Sequence, residues 1–208
     1  MSQIDVYGIG NALVDTEFEV DDSFFEEAGI QKGFMTLIEE EQQKNILSML
    51  SANYPVKKKA GGGSAANTLY AISQFGGHAF YACRVAGDET GDYYLSELGD
   101  HNIRTNQTDS KPNGNTGQCL VMVTPDAERT MLTHLGVSSD VSVADLDLDI
   151  ATTAKYVYME GYLVSSDSAR QAVLTLKQAA RDAGIPVAFT FSDPAMVEYF
   201  KDGVKEVM

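Results

Sequence analysis

Apolar residues fall on one helix face through Ala169, Val173, Leu176, Ala180 and Ala183, and Gly184 follows as a stop. Ser64 to Phe75 keeps Ala65, Leu69 and Ile72 at the same spacing, with Gly76-Gly77 behind it. Glu39 to Leu50 and Thr90 to Leu98 read as further helices, and Ala195 to Met208 as the last. Between them lie short apolar runs, Ile4 to Ile9, Ala79 to Val85, Ala154 to Glu160 and Pro186 to Ser192, of the kind that form strands buried on both faces. Strands alternating with helices predict a mainly parallel sheet with helices on both sides, whose ligands bind beyond the carboxyl ends of the strands.

Two stretches break that rhythm. Thr116 to Val123 and Arg129 to Leu135 alternate apolar and polar residues, and Thr124-Pro125-Asp126-Ala127-Glu128 between them is turn chemistry, so a β-hairpin is expected. Leu13 to Ile38, with its short apolar run from Lys32 to Ile38, is expected to join the hairpin in a small β excursion.

Composition narrows the function. The 208 residues are 44% hydrophobic and 22% charged, which suits one large globular domain. A net charge of −15 repels nucleic acid, and Lys57-Lys58-Lys59 reads as the solvated end of a strand. No apolar run nears the roughly 18 residues of a membrane span, and the first residues lack the features of a signal peptide. Cys83 and Cys119, each in an apolar segment, read as reduced core thiols, so a cytoplasmic location is expected.

The strongest chemical signal is Gly61-Gly62-Gly63-Ser64-Ala65-Ala66-Asn67-Thr68, where glycines open a helix. Glycine allows a sharp turn and close approach of a ligand to the main chain, and the helix start offers free N–H groups with partial positive charge. No Lys-Ser or Lys-Thr follows at the spacing of a nucleotide P-loop. Gly8-Ile9-Gly10 begins like a dinucleotide fingerprint, but Leu13 stands where a third Gly or Ala is needed. Asn11 and Asp15 follow that strand; an Asp carboxylate accepts from neighbouring sugar hydroxyls, and the same pair also suits a plain turn. Asp145, Asp147 and Asp149 lack the Gly of a calcium loop, and Ser142 with Asp145 reads as a helix cap. His78, His101 and His134 have no metal-ligand spacing.

Gly62-Gly63-Ser64-Ala65-Ala66-Asn67-Thr68, Gly76 and Val85-Ala86-Gly87-Asp88-Glu89-Thr90-Gly91 together resemble the first signature region of the ribokinase or PfkB family of carbohydrate and nucleoside kinases. Gly8 to Asp15 resembles that family's substrate-contact segment, and Thr116-Gly117-Gln118-Cys119 with Glu128-Arg129-Thr130 falls where the family has its lid. Within the family, Val123 to Met131 and the opening segment look most similar to bacterial adenosine-kinase-type members. The resemblance implies an α/β fold: a three-layer α/β/α sandwich with a small β-sheet lid. The core would be residues 1–10, 39–113 and 138–208, and the lid 11–38 and 114–137. It implies ATP and Mg²⁺ as cofactors, with a monovalent cation in some members, and a homodimer through the lid. Carried over by position, Asn11, Asp15, Gly62, Gly63, Ser64, Asn67 and Glu160 would bind the substrate, adenosine first, then ribose or fructose. Ser64 departs from the ribokinases, which carry Lys there. Gly87 and Asp88 suit a turn as well as a ligand contact, Arg129 a phosphate contact as well as an exposed charge, and Phe34, Tyr162 and Phe191 are candidate base stackers.

The resemblance also implies an Asn-x-x-Glu motif and a Gly-Ala-Gly-Asp anion hole with its catalytic base, and this sequence contains neither. The chain therefore reads as the N-terminal two-thirds of a kinase, with its catalytic residues expected beyond Met208. A non-catalytic sugar- or nucleoside-binding module ending near Met208 is the alternative, and a dinucleotide-dependent oxidoreductase rests only on Gly8 and Gly10.

Overall fold

The computed structural model describes residues 3–106 and 111–208. In chain order its elements are β1 (Val6–Ile9), β2 (Leu13–Glu19), α1 (Asp22–Ala28), β3 (Met35–Leu37), α2 (Glu40–Asn53), β4 (Val56–Gly62) and α3 (Ser64–Gln74). Then come β5 (Ala79–Ala82), α4 (Glu89–Asp100), β6 (Ile103–Thr105), β7 (Gly117–Val123), β8 (Arg129–His134) and α5 (Leu148–Ala151). The last are β9 (Tyr156–Met159), α6 (Asp167–Asp182), β10 (Val187–Phe189), α7 (Pro194–Tyr199) and α8 (Lys201–Val207).

Five parallel strands form the core sheet in the order β10-β9-β1-β5-β6. Side chains alternate across it. Tyr7, Ile9, Phe80, Ala82, Val157 and Met159 pack with α6 and α8, while Ala79, Tyr81 and Cys83 pack with α3 and α4. This is the three-layer α/β/α arrangement that the alternation of apolar runs predicts. Ser142 and Asp145 form the expected capping box, over a 3-10 turn, and Asp145 also pairs with Arg84.

A second, mixed sheet runs β3-β8-β7-β2-β4, with the expected hairpin between β7 and β8. Its make-up differs from expectation in two places. Residues 39–62, assigned from sequence to the core, belong here instead: β4 pairs antiparallel with β2, and Ile46 and Leu50 of α2 sit in the cluster under this sheet. Lys57-Lys58-Lys59 does lie on a solvated strand, as read from sequence, but the exposed edge gave no apolar pattern to say which sheet it joins. Inside the stretch read as wholly β, α1 packs Phe24 and Phe25 on the same cluster, and Gly29 in the left-handed region ends it. The C-terminal helix is broken at Phe200 into α7 and α8.

One face of the mixed sheet carries Phe18, Leu120, Met122 and Leu132 and is covered by α1 and α2. The other face looks toward the core sheet.

Candidate functional site

A cavity of about 310 Å³ lies between the two sheets. From the mixed sheet it is lined by one alternating face: Leu13 and Asp15 of β2, Cys119 of β7, Arg129, Met131 and Thr133 of β8, and Met35 and Leu37 of β3. Register fixes that row, since Asp15 lies beside Ala60 and Cys119, Cys119 beside Thr133, and Thr133 beside Leu37. From the core come Asn11 after β1, Gly63, Ser64 and Asn67 at the start of α3, and Glu160 and Tyr162 after β9. Met196 of α7 and Phe200 complete the wall. The cavity thus opens beyond the carboxyl ends of β1 and β9, as the topology predicts.

Six of the seven residues singled out from sequence meet here: Asn11, Asp15, Gly63, Ser64, Asn67 and Glu160. Gly62 does not line the cavity. It lies behind Asp15, and a Cβ on it would stand 2.5–2.6 Å from the Asp15 carboxyl atoms, so its bareness makes room for that side chain. Gly63 has φ of 98°, and a Cβ there would collide with the Asn11 carbonyl, so only glycine fits the joint between β4 and α3.

The Asp15 carboxylate faces the cavity, and among the described residues no protein donor is hydrogen-bonded to it. Burial pushes it up to about 6, against the pull of Arg129 and Lys58, with Glu17 adding to the rise. Glu160 differs. It is 1% exposed, and its Oε2 accepts from the Ala65 N–H at 2.8 Å while Oε1 accepts from the Asn11 amide at 3.5 Å. Burial pushes Glu160 up to about 7, opposed by those hydrogen bonds. The start of α3, whose free N–H groups the sequence offered to a ligand, already holds an internal carboxylate through the Ala65 N–H.

Asn11 is 6% exposed, and its Oδ1 accepts from Ser138 Oγ at 3.3 Å. Ser138 Oγ accepts in turn from the Ala12 N–H at 2.8 Å, and the Tyr81 hydroxyl donates to the Asn11 carbonyl at 2.9 Å. Asp88 makes a turn rather than a cavity wall. Its carboxylate caps α4 at Gly91 and accepts from Thr116 N and Oγ1, at the start of β7. Burial works against its charge, yet those hydrogen bonds hold it below the usual carboxylate range.

Of the proposed stackers, Tyr162 lines the cavity, whereas Phe34 is exposed and Phe191 packs edge-on to Phe189. Sequence reasoning missed Met35, Leu37, Met131 and Leu135. Their signal was available as the period-two alternation in which Arg129, Met131, Thr133 and Leu135 share one face. Cys119 is buried beside Thr133, and burial pushes its thiol up to about 12, so it is a protonated wall atom. Among the described residues no group of three or more His, Cys, Asp or Glu is placed to hold a metal ion, and no helix is long and apolar enough to cross a membrane.

Comparison with known proteins supplies a frame for this geometry. Residues 41–208 match the sequence pattern of the pfkB family carbohydrate kinase. The crystal structure of adenosine kinase from Sinorhizobium meliloti superposes with a TM-score of 0.88 at 33% identity, over 100% of this chain and 62% of that one. Guanosine-inosine kinase of Escherichia coli (strain K12) is 24% identical over 191 residues, 89% of this chain and 44% of that protein. Probable fructokinase-6, chloroplastic, of Arabidopsis thaliana is 26% identical over 140 residues, 66% of this chain and 36% of that protein. The chain thus spans less than two-thirds of the length of each of these relatives.

Proposed function

Because this chain belongs to the pfkB family of carbohydrate kinases, we propose that its cavity binds the alcohol acceptor of a phosphoryl transfer, and that the acceptor is a nucleoside, adenosine first. One observation carries this reading: the cavity has both polar and apolar lining. Asp15, Ser64 and Asn67 offer polar groups, while Met35, Leu37, Met131 and Leu135 of the mixed-sheet side offer apolar surface. A ribosyl group suits the first and a flat nucleobase the second; methionines adapt well to an aromatic face. A free pentose or hexose would leave the apolar lining uncovered. The relatives at 33% and 24% identity are named as kinases of adenosine and of guanosine and inosine. Fructose is the runner-up, supported by the relative named as a probable fructokinase.

In this reading Asp15 accepts from ribose hydroxyls, Asn67 hydrogen-bonds a further hydroxyl, and Gly63 and Ser64 form the floor. Binding fills the cavity between the sheets and displaces its water. The family implies ATP and Mg²⁺, which supply the phosphoryl group and its charge neutralisation. Among the described residues no group of three or more His, Cys, Asp or Glu is placed to hold a metal ion. We assign the nucleotide site, anion hole and catalytic base to polypeptide beyond this chain. The outer edge of β10, unpaired among the described residues, is where a further strand would join the core sheet.

Calorimetric titration with adenosine tests the site. Asp15→Ala should weaken binding about 5- to 150-fold, the equivalent of ~1–3 kcal/mol for polar groups left without a partner. Unchanged affinity would remove Asp15 from the site. A binding module without transferase activity remains the second reading. Release of ADP and formation of a nucleoside monophosphate by the chain once joined to a relative's C-terminal part would decide against it.

A further inference from the structure

Glu160 is the one carboxylate in the cavity wall whose oxygens are both engaged by the protein. Its donors, on Asn11 (backbone and side chain) and on Ala65, come from separate stretches that join the sheets. Asn11 lies on the connection from β1 to β2, and Ala65 lies just after the connection from β4 to α3. Asn11 is held in turn by Ser138, on the stretch that returns from β8 to the core. Three of the passages between core and mixed sheet therefore meet on one buried side chain and its partner.

We propose that Glu160 is a positioning residue: it fastens Asn11 to the start of α3 and so sets the spacing between Asp15 on the mixed sheet and the Ser64–Asn67 floor. The proposal rests on the acceptor reading above only for its ligand arm. Geometry leaves Glu160 little room for another role. Space is so tight that a Cβ on Gly10 would stand 2.5 Å from Oε2. A carboxylate accepts from all of these donors at once, whereas a protonated carboxyl must turn one oxygen into a donor, facing the Asn11 N–H groups or the Ala65 N–H. Protonation therefore loosens the fastening. The titratable groups that face it are the hydroxyls of Tyr81 from β5, Tyr94 from α4 and Tyr162 after β9, all kept protonated by burial. No Lys or Arg is among the groups acting on it, and burial places its proton exchange near neutral pH, at about 7.

Two measurements test this. In the wild-type chain the Ala65 amide resonance, followed by NMR without ligand, should move downfield as pH rises, with a midpoint near 7. Glu160→Gln should abolish that movement. Adenosine affinity should rise about 5-fold between roughly pH 6 and pH 8, a gain of the size of one hydrogen bond. Asp15→Asn should keep that rise from its weaker baseline, and Glu160→Gln should lose it. A wild-type Ala65 amide that does not titrate overturns the proposal without reference to any variant. The same titration persisting in Glu160→Gln also overturns it. If adenosine fails to bind while the amide still titrates through Glu160, the acceptor reading falls and the positioning role stands.

Discussion

Both faces of the core sheet are covered by helices of this chain, whereas the mixed sheet has α1 and α2 on one face and the cavity on the other. The difference shows in the residues. On β1 and β5 nearly every side chain is buried, and the polar groups at their carboxyl ends, Asn11 among them, are bonded within the protein. On the cavity face of the mixed sheet, Asp15 has no protein donor among the described residues, and Met35, Leu37 and Met131 are only partly covered or exposed. The core thus supplies position, and the mixed sheet supplies the surface open to the cavity. The two carboxylates embody the contrast: Glu160 accepts hydrogen bonds from the protein, and Asp15 has no protein donor among the described residues.

The largest way to break the contrast is at the joint. Gly63→Val forces a branched side chain into positive φ and against the Asn11 carbonyl. It should cost about 3 kcal/mol or more in stability, read as the midpoint of chemical denaturation. Gly76→Ala also stands at positive φ, but a Cβ there meets nothing within 4 Å, so it should cost only about 1 kcal/mol. Equal losses at the two sites would deny the joint its special packing.

Next comes selectivity. Met131→Ala removes apolar surface from the mixed-sheet side of the cavity. It should weaken adenosine binding about 5- to 10-fold, by roughly 1–1.5 kcal/mol of lost burial, and leave ribose binding unchanged. A matching loss for ribose would mean that the mixed sheet does not select the base.

Stability against pH separates the carboxylates. Glu160 lies near 7 in the folded chain against an ordinary 4.5, so its contribution is complete below about 4.5 and is lost as pH rises through about 7. Asp15 lies near 6 against 3.8, so its loss falls lower, as pH rises through about 6. The melting temperature should therefore drop between about pH 5 and pH 8 by several degrees, at about 2–4 °C per kcal/mol for a chain of this size. Glu160→Gln should flatten the upper part of that drop and Asp15→Asn the lower part. The smallest effect is the control: Phe34→Ala, on an exposed side chain outside the cavity, should change neither stability nor affinity by more than about 0.5 kcal/mol.

Legibility in the sequence followed the same divide. The inner core strands β1 and β5 were readable because burial on both faces makes them continuous apolar runs, and α6 because Ala169, Val173, Leu176 and Ala180 keep one buried face. The mixed sheet was harder. Its edge strand β4 was read as a solvated strand end at Lys57-Lys58-Lys59, but three exposed lysines and two glycines give no apolar alternation to assign it to this sheet. Helix α1 is only seven residues long, although Asp21, Asp22 and Gly29 do mark its ends. Within the site, resemblance found the polar residues, but not that Gly62 serves Asp15 or that Glu160 is engaged by Ala65 and Asn11. Those facts depend on contacts between residues up to 149 positions apart, which no local pattern encodes.

The most direct test of the central claim, that polar floor and apolar lid together make a nucleoside site, is a thermal-shift series on this chain with adenosine, ribose and fructose at equal concentration. A ligand at 100 times its dissociation constant adds about 2.7 kcal/mol of stability. The account predicts that adenosine raises the melting temperature clearly and that ribose and fructose raise it little. A shift with ribose or fructose equal to or larger than that with adenosine would contradict it.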